Sequence, residues 1–392
     1  MKRGLLAFLG APDRAADVAA AAEQHGLGAV AIEHDHILFA GTDLPSRRLA
    51  DGAVILGDIF TRTGVSVHAP ADGWGNFIAV ARRGDTLIVE RAALTGMPLY
   101  WIRNADGILC FSHLELVRDL LSDVSIDWEF VGQSLAYSNL RTERTGIAGL
   151  LELLPGSSLA FDGHGTEVRA DWSPWEHVAK PAASGVAELA AALERRIDSS
   201  VKAWSSGRSE ILLELSGGLD SSIVAASLSG AGADFSAINF ATPGADGDER
   251  HFARAVAERV GAAMIEARND DTRIDLLSPP AHLHPRPGAY GVLGGLDQAF
   301  EEAGGGKARA IIGGIGGDNV FAFDSSIGPA VDAFEQFGFS RRTFAVLRDV
   351  ARAGGATIWE AVRLLVRARR VGPRRGWPRE TSFCNQAALP AA

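Results

Sequence analysis

The feature that most constrains this chain is the heptapeptide Ser-Gly-Gly-Leu-Asp-Ser-Ser at residues 216–222. The short apolar run Ile211–Leu215 precedes it, and the small and aliphatic residues Ile223–Ala226 follow it. A short apolar run that ends near glycine is typical of a buried strand, and serine before a run of small residues is typical of a helix start. The sequence therefore predicts strand, tight loop and helix, with the helix amides facing an anion.

The residue types in the loop are those that a phosphate group needs. Gly217 and Gly218 let the backbone approach phosphate oxygens without an intervening side chain, and the hydroxyls of Ser216, Ser221 and Ser222 add donors. The loop is therefore predicted to bind ATP.

Asp220 is the one charged residue of the loop. A carboxylate beside a polyphosphate is repelled unless a cation lies between them, so Asp220 is predicted to be a Mg²⁺ ligand. The loop lacks the lysine of the mononucleotide P-loop G-x-x-x-x-G-K-[ST]. The alternative interpretation is a Ser/Gly-rich turn before an ordinary helix.

Length and composition narrow the class of protein. A chain of 392 residues suits two domains. The net charge of −10 argues against general nucleic-acid binding. The two cysteines, Cys110 and Cys384, have no metal-type spacing, which favours a reducing cytoplasm over a disulfide framework. No apolar run approaches the length of a membrane span, so no membrane partner is expected.

The hydrophobic pattern changes partway along the chain. Over residues 1–175, short apolar runs between Gly, Asp and Pro predict antiparallel strands, with helices at 15–25 and 114–121. Over residues 176–392, helices and strands alternate, which predicts a parallel sheet with helices on both faces. A nucleotide belongs at the carboxyl ends of such strands.

Arginine is concentrated near the end of the chain. Between Arg341 and Arg379 there are eleven arginines against Asp349 and Glu360, on two predicted amphipathic helices. One interpretation is a helix pair with solvated arginines. The other is an anion-facing surface for polyphosphate or an acidic peptide.

Several of these segments resemble a known family. The heptapeptide resembles the pyrophosphate loop of N-type ATP pyrophosphatases, which split ATP between the α- and β-phosphates. Gly313–Phe321 resembles the Gly-rich second signature of the asparagine synthetase family, and Phe235–Phe240 followed by Asp248-Glu249 resembles its second strand and acidic turn. The resemblance implies two cofactors, ATP and Mg²⁺.

Within that family the chain is most similar to lasso peptide cyclases. Asn319 follows Asp318 where asparagine synthetases carry a Glu, and His284–Pro287 (His-Pro-Arg-Pro) resembles the cyclase subgroup. An alternative interpretation of His284–Pro287 is a rigid turn with no functional role.

The resemblance implies a site at the two Gly-rich segments. Asp220 and Asp318 are the expected Mg²⁺ ligands. The expected ATP contacts are Leu215, Ser216, Gly217, Gly218, Leu219, Asp220, Ser221, Ser222, Phe240, Gly313 and Gly314. No residue is assigned as the catalytic acid or base.

The first domain resembles the family's glutaminase-fold domain. The matching segments are Trp74–Phe77, Met97–Trp101 and Leu154–Ser157. Glutamine-hydrolysing members carry a Cys nucleophile after the initiator Met, where this chain has Lys2. The expected fold is therefore α/β: a glutaminase-like (Ntn-type) αββα domain without nucleophile at 1–175, and a doubly wound parallel-sheet ATP pyrophosphatase domain at 176–392. Cys110 lies in an apolar run and is predicted to be a packing residue.

The C-terminus departs from the family pattern. Family members continue into a helical segment that supplies a lysine, whereas this sequence ends at Ala392, so a C-terminally truncated domain is predicted. Lys307 is the one lysine after Lys202, and it matches no motif.

The implied function is ATP-dependent amide (isopeptide) bond formation. A carboxylate of a lasso precursor peptide is adenylated and a macrolactam ring is closed, with leader-binding and protease proteins as accessory partners. One alternative is an asparagine synthetase that uses aspartate, ATP and ammonia or glutamine. Another is a truncated, inactive relative that binds ATP or a peptide.

Overall fold

A computed structural model describes most of the chain, in two compact units. The described residues are 4–10, 14–33, 36–61, 67–121, 124–137, 140–178, 185–241, 248–268, 283–288, 298–306, 310–320 and 326–372. Residues 4–178 and 283–288 belong to the first unit, and the described residues of 185–268 and 298–372 belong to the second.

The first unit contains two six-stranded sheets in which every neighbouring pair is antiparallel. The first sheet consists of β1 (Leu5–Gly10), β2 (Gly28–Glu33), β3 (His36–Ala40), β8 (Tyr100–Asn104), β9 (Gly107–Phe111) and β10 (Leu151–Glu152), in the order β10-β8-β9-β1-β3-β2. The second consists of β4 (Ser46–Arg48), β5 (Val54–Phe60), β6 (Trp74–Arg83), β7 (Thr86–Arg91), β11 (Ser157–Phe161) and β12 (Thr166–Ala170), in the order β12-β11-β7-β6-β5-β4. The helices of this unit are α1 (Ala15–Gln24), α2 (Trp128–Ala136), α3 (Trp175–Val178) and the 3₁₀ turns Pro70–Asp72 and Leu114–Val117.

The two sheets pack face to face because their strands alternate apolar residues toward each other. Leu5 and Leu9 of β1 join Leu56 and Ile78 of the second sheet in one buried cluster. The opposite face of the first sheet packs on α1. The cluster on the outer face of the second sheet contains no residue of a described helix. The described residues thus show α, β and β layers of the expected αββα order.

Two local predictions for this unit have clear outcomes. The helix predicted at 114–121 is wrong in extent, because Leu114–Val117 forms a 3₁₀ turn and no α-helix covers the rest. Cys110 lies fully buried between the sheets, and burial raises the pKa of its thiol to about 12. The thiol is therefore a packing group, as predicted.

Residues 283–288 dock on the first unit although they lie far along the chain. The amide of Gly146 donates to the carbonyl of Pro285 at 2.6 Å. Arg286 donates through Nη2 to the carbonyl of Thr142, and its guanidinium lies 5.3 Å from the ring centre of Phe130. The His284–Pro287 segment is therefore anchored through its arginine.

The carboxylate that receives Arg286 is buried in the first unit. Glu152 accepts from Arg286 Nε at 2.7 Å and from Arg91 Nη1 at 2.8 Å, and it also pairs with Arg141. Burial opposes ionisation of Glu152, but hydrogen bonds from Arg141 and Arg91 outweigh it, so the pKa of Glu152 is lowered. We call these four residues the Glu152 cluster.

In its described residues, the second unit is built on four parallel strands. These are β13 (Ile211–Glu214), β14 (Phe235–Ala241), β15 (Ala263–Arg268) and β16 (Ala310–Gly313), in the order β15-β14-β13-β16. Its helices are α4 (Val186–Ser205), α5 (Leu219–Gly230), α6 (Arg250–Val260), α7 (Gly317–Val320), α8 (Gly328–Phe337), α9 (Arg341–Ala353) and α10 (Ile358–Val371), together with the helical residues 298–303.

Helices cover both faces of this sheet, which confirms the prediction of a mixed α/β parallel sheet. Leu213 packs with α5 and α6 on one face, and Leu212 packs with Phe300 on the other. After β13, the next two strands β14 and β15 lie on one side of it in the sheet, and β16 lies on the other side. The strand order therefore reverses between β13 and β16, and the crevice at their carboxyl ends is the place where such sheets bind ligands.

Within the described residues, no helix combines the length and the hydropathy that crossing a membrane requires. Lys2, Lys307, Phe321, Cys384 and the segment 373–392 lie outside the described residues.

Candidate functional site

The heptapeptide connects β13 to α5, as its sequence predicts. Gly217 has a φ of +84°, a conformation that favours glycine. A Cβ on Gly217 would lie 2.5 Å from the amide nitrogen of Ala253 and 2.6 Å from the carbonyl carbon of Phe252. Both the backbone conformation and the close approach of α6 therefore require glycine here.

The helix that follows the loop begins without a side-chain cap. Gly218 is the N-cap residue of α5, its backbone is extended, and no side chain accepts from the first turn. The first amides of a helix have no intrahelical acceptors, and they carry partial positive charge. The start of α5 is therefore arranged to receive an anion.

The loop serines hydrogen bond to the loop itself. The Ser216 and Ser221 hydroxyls lie 3.0 Å apart, and the Gly218 amide donates to Ser216 Oγ at 3.1 Å. The Ser222 hydroxyl donates to the Gly218 carbonyl at 2.6 Å. These bonds hold the loop in shape, and direct contacts from the hydroxyls to phosphate stay a prediction.

The second Gly-rich turn meets the heptapeptide at the start of α5. A Cβ on Gly314 would lie 2.6 Å from the amide nitrogen of Ser221, and a Cβ on Gly317 would overlap the Asp220 carboxylate. The turn follows β16 as the loop follows β13, and these strands are neighbours. The structure therefore brings the two predicted motifs together at the switch point of the sheet.

The Asp220 carboxylate lies in the contact between the two motifs. It is half-buried and touches Gly317, whose neighbour Asp318 is exposed at the start of α7. The described residues contain no group of three or more His, Cys, Asp or Glu able to hold a metal ion. A Mg²⁺ ion at Asp220 would therefore complete its coordination shell with phosphate oxygens and water. Protein-bound Mg²⁺ is usually coordinated in this way. The glycine cradle and the carboxylate fit that ion, and Asp318 as a second ligand stays a prediction.

Other predicted contacts have different surroundings. Leu215 is fully buried, and its amide donates to the Ile238 carbonyl at 2.8 Å. Phe240 packs edge to face on Phe300, with ring centres 4.9 Å apart, on the sheet face opposite α5. Gly313 ends β16 beside Glu214. The side chains of Leu215 and Phe240 thus serve packing, and any ATP contact there would involve their backbone.

Asn239 is a residue that the sequence reasoning missed. It is 5 % exposed, and its Nδ2 donates to the carbonyl of Leu215, directly before the loop, at 2.8 Å. Its Oδ1 is buried and has no hydrogen-bond donor among the described residues. Because an unpaired buried acceptor is costly, a donor from water or a bound molecule is expected there. The available signal in the sequence was an amide side chain in the middle of a mostly apolar strand.

Glu214 was missed as well. Its carboxylate lies against Gly313, where a Cβ would be 3.4 Å from Oε2. Burial raises the pKa of this carboxyl, so it favours the neutral form more than a solvated glutamate does. Glu214 is thus, after Asp220, a second acidic side chain where the parallel strands end.

The aspartate of the acidic turn before α6 is paired with an arginine. The Arg250 guanidinium donates to Asp248 at 2.7 Å and holds the pKa of that carboxyl well below its usual range. Arg250 also lies 3.6 Å from Glu266. Asp248 is therefore a paired group in this structure rather than a free metal ligand.

A comparison with protein families supports the resemblance noted in the sequence. Residues 192–353, which are less than half of the chain, match the family model described as asparagine synthase. This segment contains both Gly-rich motifs. The match supports the asparagine synthetase family and, in general terms, an ATP-using ligase or amidotransferase-like enzyme that forms amide bonds. No curated protein matches the chain.

Two solved structures align with most of the chain at low similarity. One is the glutamine phosphoribosylpyrophosphate (PRPP) amidotransferase from B. subtilis complexed with ADP and GMP, at 8 % identity and a TM-score of 0.28, covering 79 % of this chain and 90 % of that chain. The other is described as the allosteric regulatory enzyme of purine biosynthesis, at 9 % identity and a TM-score of 0.24, covering 79 % of this chain and 83 % of that chain.

Proposed function

We propose that this chain is an AMP-forming carbon–nitrogen ligase that adenylates a carboxylate of a precursor peptide and closes a macrolactam, as lasso peptide cyclases do. The observation that carries the proposal is the contact between the two Gly-rich turns, with Asp220 in the interface and the uncapped start of α5 beside it. Leader-binding and protease proteins are the proposed accessory partners.

In the first chemical step, a carboxylate oxygen of the peptide attacks the α-phosphorus of ATP. The bond between that phosphorus and the oxygen leading to the β-phosphate breaks, and pyrophosphate leaves. The amides at the start of α5 stabilise the charge on the departing pyrophosphate. Asp220, with Asp318 as the proposed second ligand, would hold Mg²⁺, which would neutralise part of that charge.

In the second step, the α-amine of the peptide attacks the acyl-adenylate carbonyl carbon. The amide bond forms, the bond to AMP breaks, and the amine releases a proton to solvent or a base. Because both reacting groups belong to one peptide, the protein needs to supply positioning rather than ammonia. Lys2 in place of a nucleophilic cysteine, and Asn319 in place of an acid, agree with this chemistry.

The test is incubation of the purified chain with ATP, Mg²⁺ and a peptide encoded beside its gene. We expect AMP and pyrophosphate in equal amounts, and a peptide product lighter by one water molecule. ADP in place of AMP would overturn the proposal, because it places bond cleavage at the terminal phosphate. AMP formation that depends on aspartate and ammonium, with no change in the peptide, would assign the chain to asparagine synthesis instead.

Asp220→Asn is the diagnostic variant, and Asp234→Asn is its matched control. Asp234 is an exposed aspartate directly before β14, at the opposite end of the sheet from the loop. We expect the first variant to lose AMP formation and the second to keep it. Equal loss in both would show that the assay reports damage to the fold rather than the site.

A further inference from the structure

Helices α8, α9 and α10 of the second unit line an open groove with a volume of about 1030 Å³. We call it the helical groove. Its walls come from α8, α9 and α10, and the Phe339 and Ser340 link lies between the first two. The groove is separate from the Gly-rich turns, since none of its lining residues belongs to either motif.

Aromatic and aliphatic side chains line the groove and are exposed. Phe339 is 98 % exposed and Phe344 is 59 % exposed, and Leu347 and Leu365 form the buried base. Phe339 is held edge to face on Phe334, with ring centres 4.8 Å apart. Contiguous apolar surface of this kind marks an interaction site more often than scattered exposed residues do.

Arginines surround this apolar surface. Arg341, Arg348, Arg369 and Arg370 all line the groove. Arg369 is stacked over the Phe334 ring at 4.3 Å from its centre, which fixes the guanidinium beside the aromatic floor.

The four acids of these three helices lie outside the groove lining: Asp332 and Glu335 are exposed on α8, and Asp349 and Glu360 belong to α9 and α10. Asp349 pairs with its neighbour Arg348 at 3.4 Å, and Glu360 closes the capping box with Thr357 at the start of α10. Within the described part of the chain, no carboxylate pairs with Arg341 or Arg370. The groove is therefore strongly positive on a chain whose net charge is −10.

We propose that the helical groove binds an acidic, amphipathic helical segment of a partner protein. Apolar side chains at i, i+3, i+4 and i+7 on one helix face would cover the aromatic floor. Glutamate or aspartate at the edges of that face would meet the guanidinium groups, which bind carboxylates in bidentate geometry. This partner is distinct from ATP and from the peptide carboxylate that is activated.

Charge and shape favour this occupant over the other candidates. The residues that follow α10 carry Arg374, Arg375 and Arg379 against Glu380, so they have the same sign as the groove. Polyphosphate would satisfy the arginines but would leave the aromatic floor exposed to water, and the net charge of −10 disfavours nucleic acid. An acidic amphipathic helix satisfies both.

The probe is a labelled synthetic helix with Leu and Phe at i, i+3, i+4 and i+7 and Glu on its flanks, measured by fluorescence anisotropy with the full chain. The comparison peptide has the same composition in scrambled order. We expect saturable binding with at least a tenfold preference over the scrambled peptide. No saturation at about 100 μM, or equal binding of both peptides, would overturn the proposal.

Matched double variants locate the binding. Arg341→Glu/Arg370→Glu reverses two charges in the groove, and Arg352→Glu/Arg363→Glu reverses two exposed charges on the same two helices outside it. We expect the groove variant to weaken binding at least tenfold and the control less than threefold. Phe339→Ser, at an exposed position, should also weaken binding at least threefold. Equal loss in both double variants, or stronger displacement by polyphosphate than by unlabelled peptide, would overturn the proposal.

Discussion

Glu152 in the first unit and Asp220 in the second unit are carboxylates with opposite surroundings. In the first unit, Glu152 is buried and three arginines donate to it. In the second unit, Asp220 is half-buried beside uncapped helix amides, and no cation of the described residues pairs with it. A buried carboxylate with its full set of partners has no capacity left for a ligand, so its role is structural. A carboxylate that lacks a cation next to an anion site has a place for a metal ion.

The first unit also binds a segment from far along the sequence. The Glu152 cluster receives Arg286 from a segment that lies between β15 and β16 in the sequence, and those strands belong to the second unit. The first unit is therefore an anchor for part of the chain that leads to the second Gly-rich turn. This role requires intact packing.

The largest effect is expected when the Glu152 cluster is broken. Glu152→Leu leaves the Arg91 guanidinium buried without a counter-charge, which should lower the free energy of unfolding by about 3–5 kcal/mol. The measurement is urea unfolding at pH 7, and Glu143→Leu, which removes an exposed acid nearby, is the control. A loss no greater than that of the control would contradict a structural role for the cluster.

The same variant has a pH signature. Because the pKa of Glu152 is lowered by folding, its stabilisation is present above the pKa of the unfolded chain, about 4.3, and is lost as the pH falls through the folded value. The difference in unfolding free energy between the native chain and Glu152→Leu should therefore shrink in acid. A difference that stays constant down to low pH would show that lost packing, rather than lost charge, explains the effect.

The second largest effect is expected for Asp220→Asn, and it concerns the rate of AMP formation rather than the free energy of unfolding. Asp220→Asn keeps the shape of the side chain but removes the negative charge that would hold Mg²⁺, so AMP formation should fall about 10²- to 10³-fold. The unfolding free energy should change by less than about 0.5 kcal/mol. A large loss of stability with residual activity would place Asp220 with Glu152 among the structural carboxylates and remove the contrast between the units.

The sequence predicted the parts of the site that depend on local pattern. The heptapeptide, the preceding strand and the following helix were predicted because glycine, serine and short apolar runs constrain the backbone within a few residues. The Glu152 cluster was not predicted, because Arg286 lies 134 residues from Glu152 in the sequence and an isolated arginine has no periodic signal. Likewise, the bonds that tie the loop serines together depend on rotamers that composition does not specify.

Gly217→Ala tests how far the loop depends on close packing. The positive φ and the overlap with Phe252 and Ala253 should together lower the unfolding free energy by about 1–3 kcal/mol and weaken ATP binding. Gly232→Ala is the matched control, because Gly232 has a φ of +68° with open space around its Cβ position. Equal losses in both variants would mean that the contact with α6 does not matter.

The smallest expected effect concerns Glu214, which differs from Glu152 in having no charged partner among the described residues. Burial raises the pKa of this carboxyl in the folded chain. The contribution of Glu214 to the free energy of unfolding is therefore fully present below the pKa of the unfolded chain, and it is lost as the pH rises through the folded pKa. Glu214→Gln should therefore gain stability relative to the native chain between about pH 4 and pH 7, by less than about 1 kcal/mol because the group is partly solvated. Urea unfolding at the two pH values measures this gain, with the exposed Glu258→Gln as the reference for charge removal without burial. If Glu214→Gln were more stable than the native chain at pH 4 but not at pH 7, the pKa of Glu214 would be lowered rather than raised by folding. A cation near Glu214 would then stabilise its ionised form, as arginines stabilise Glu152.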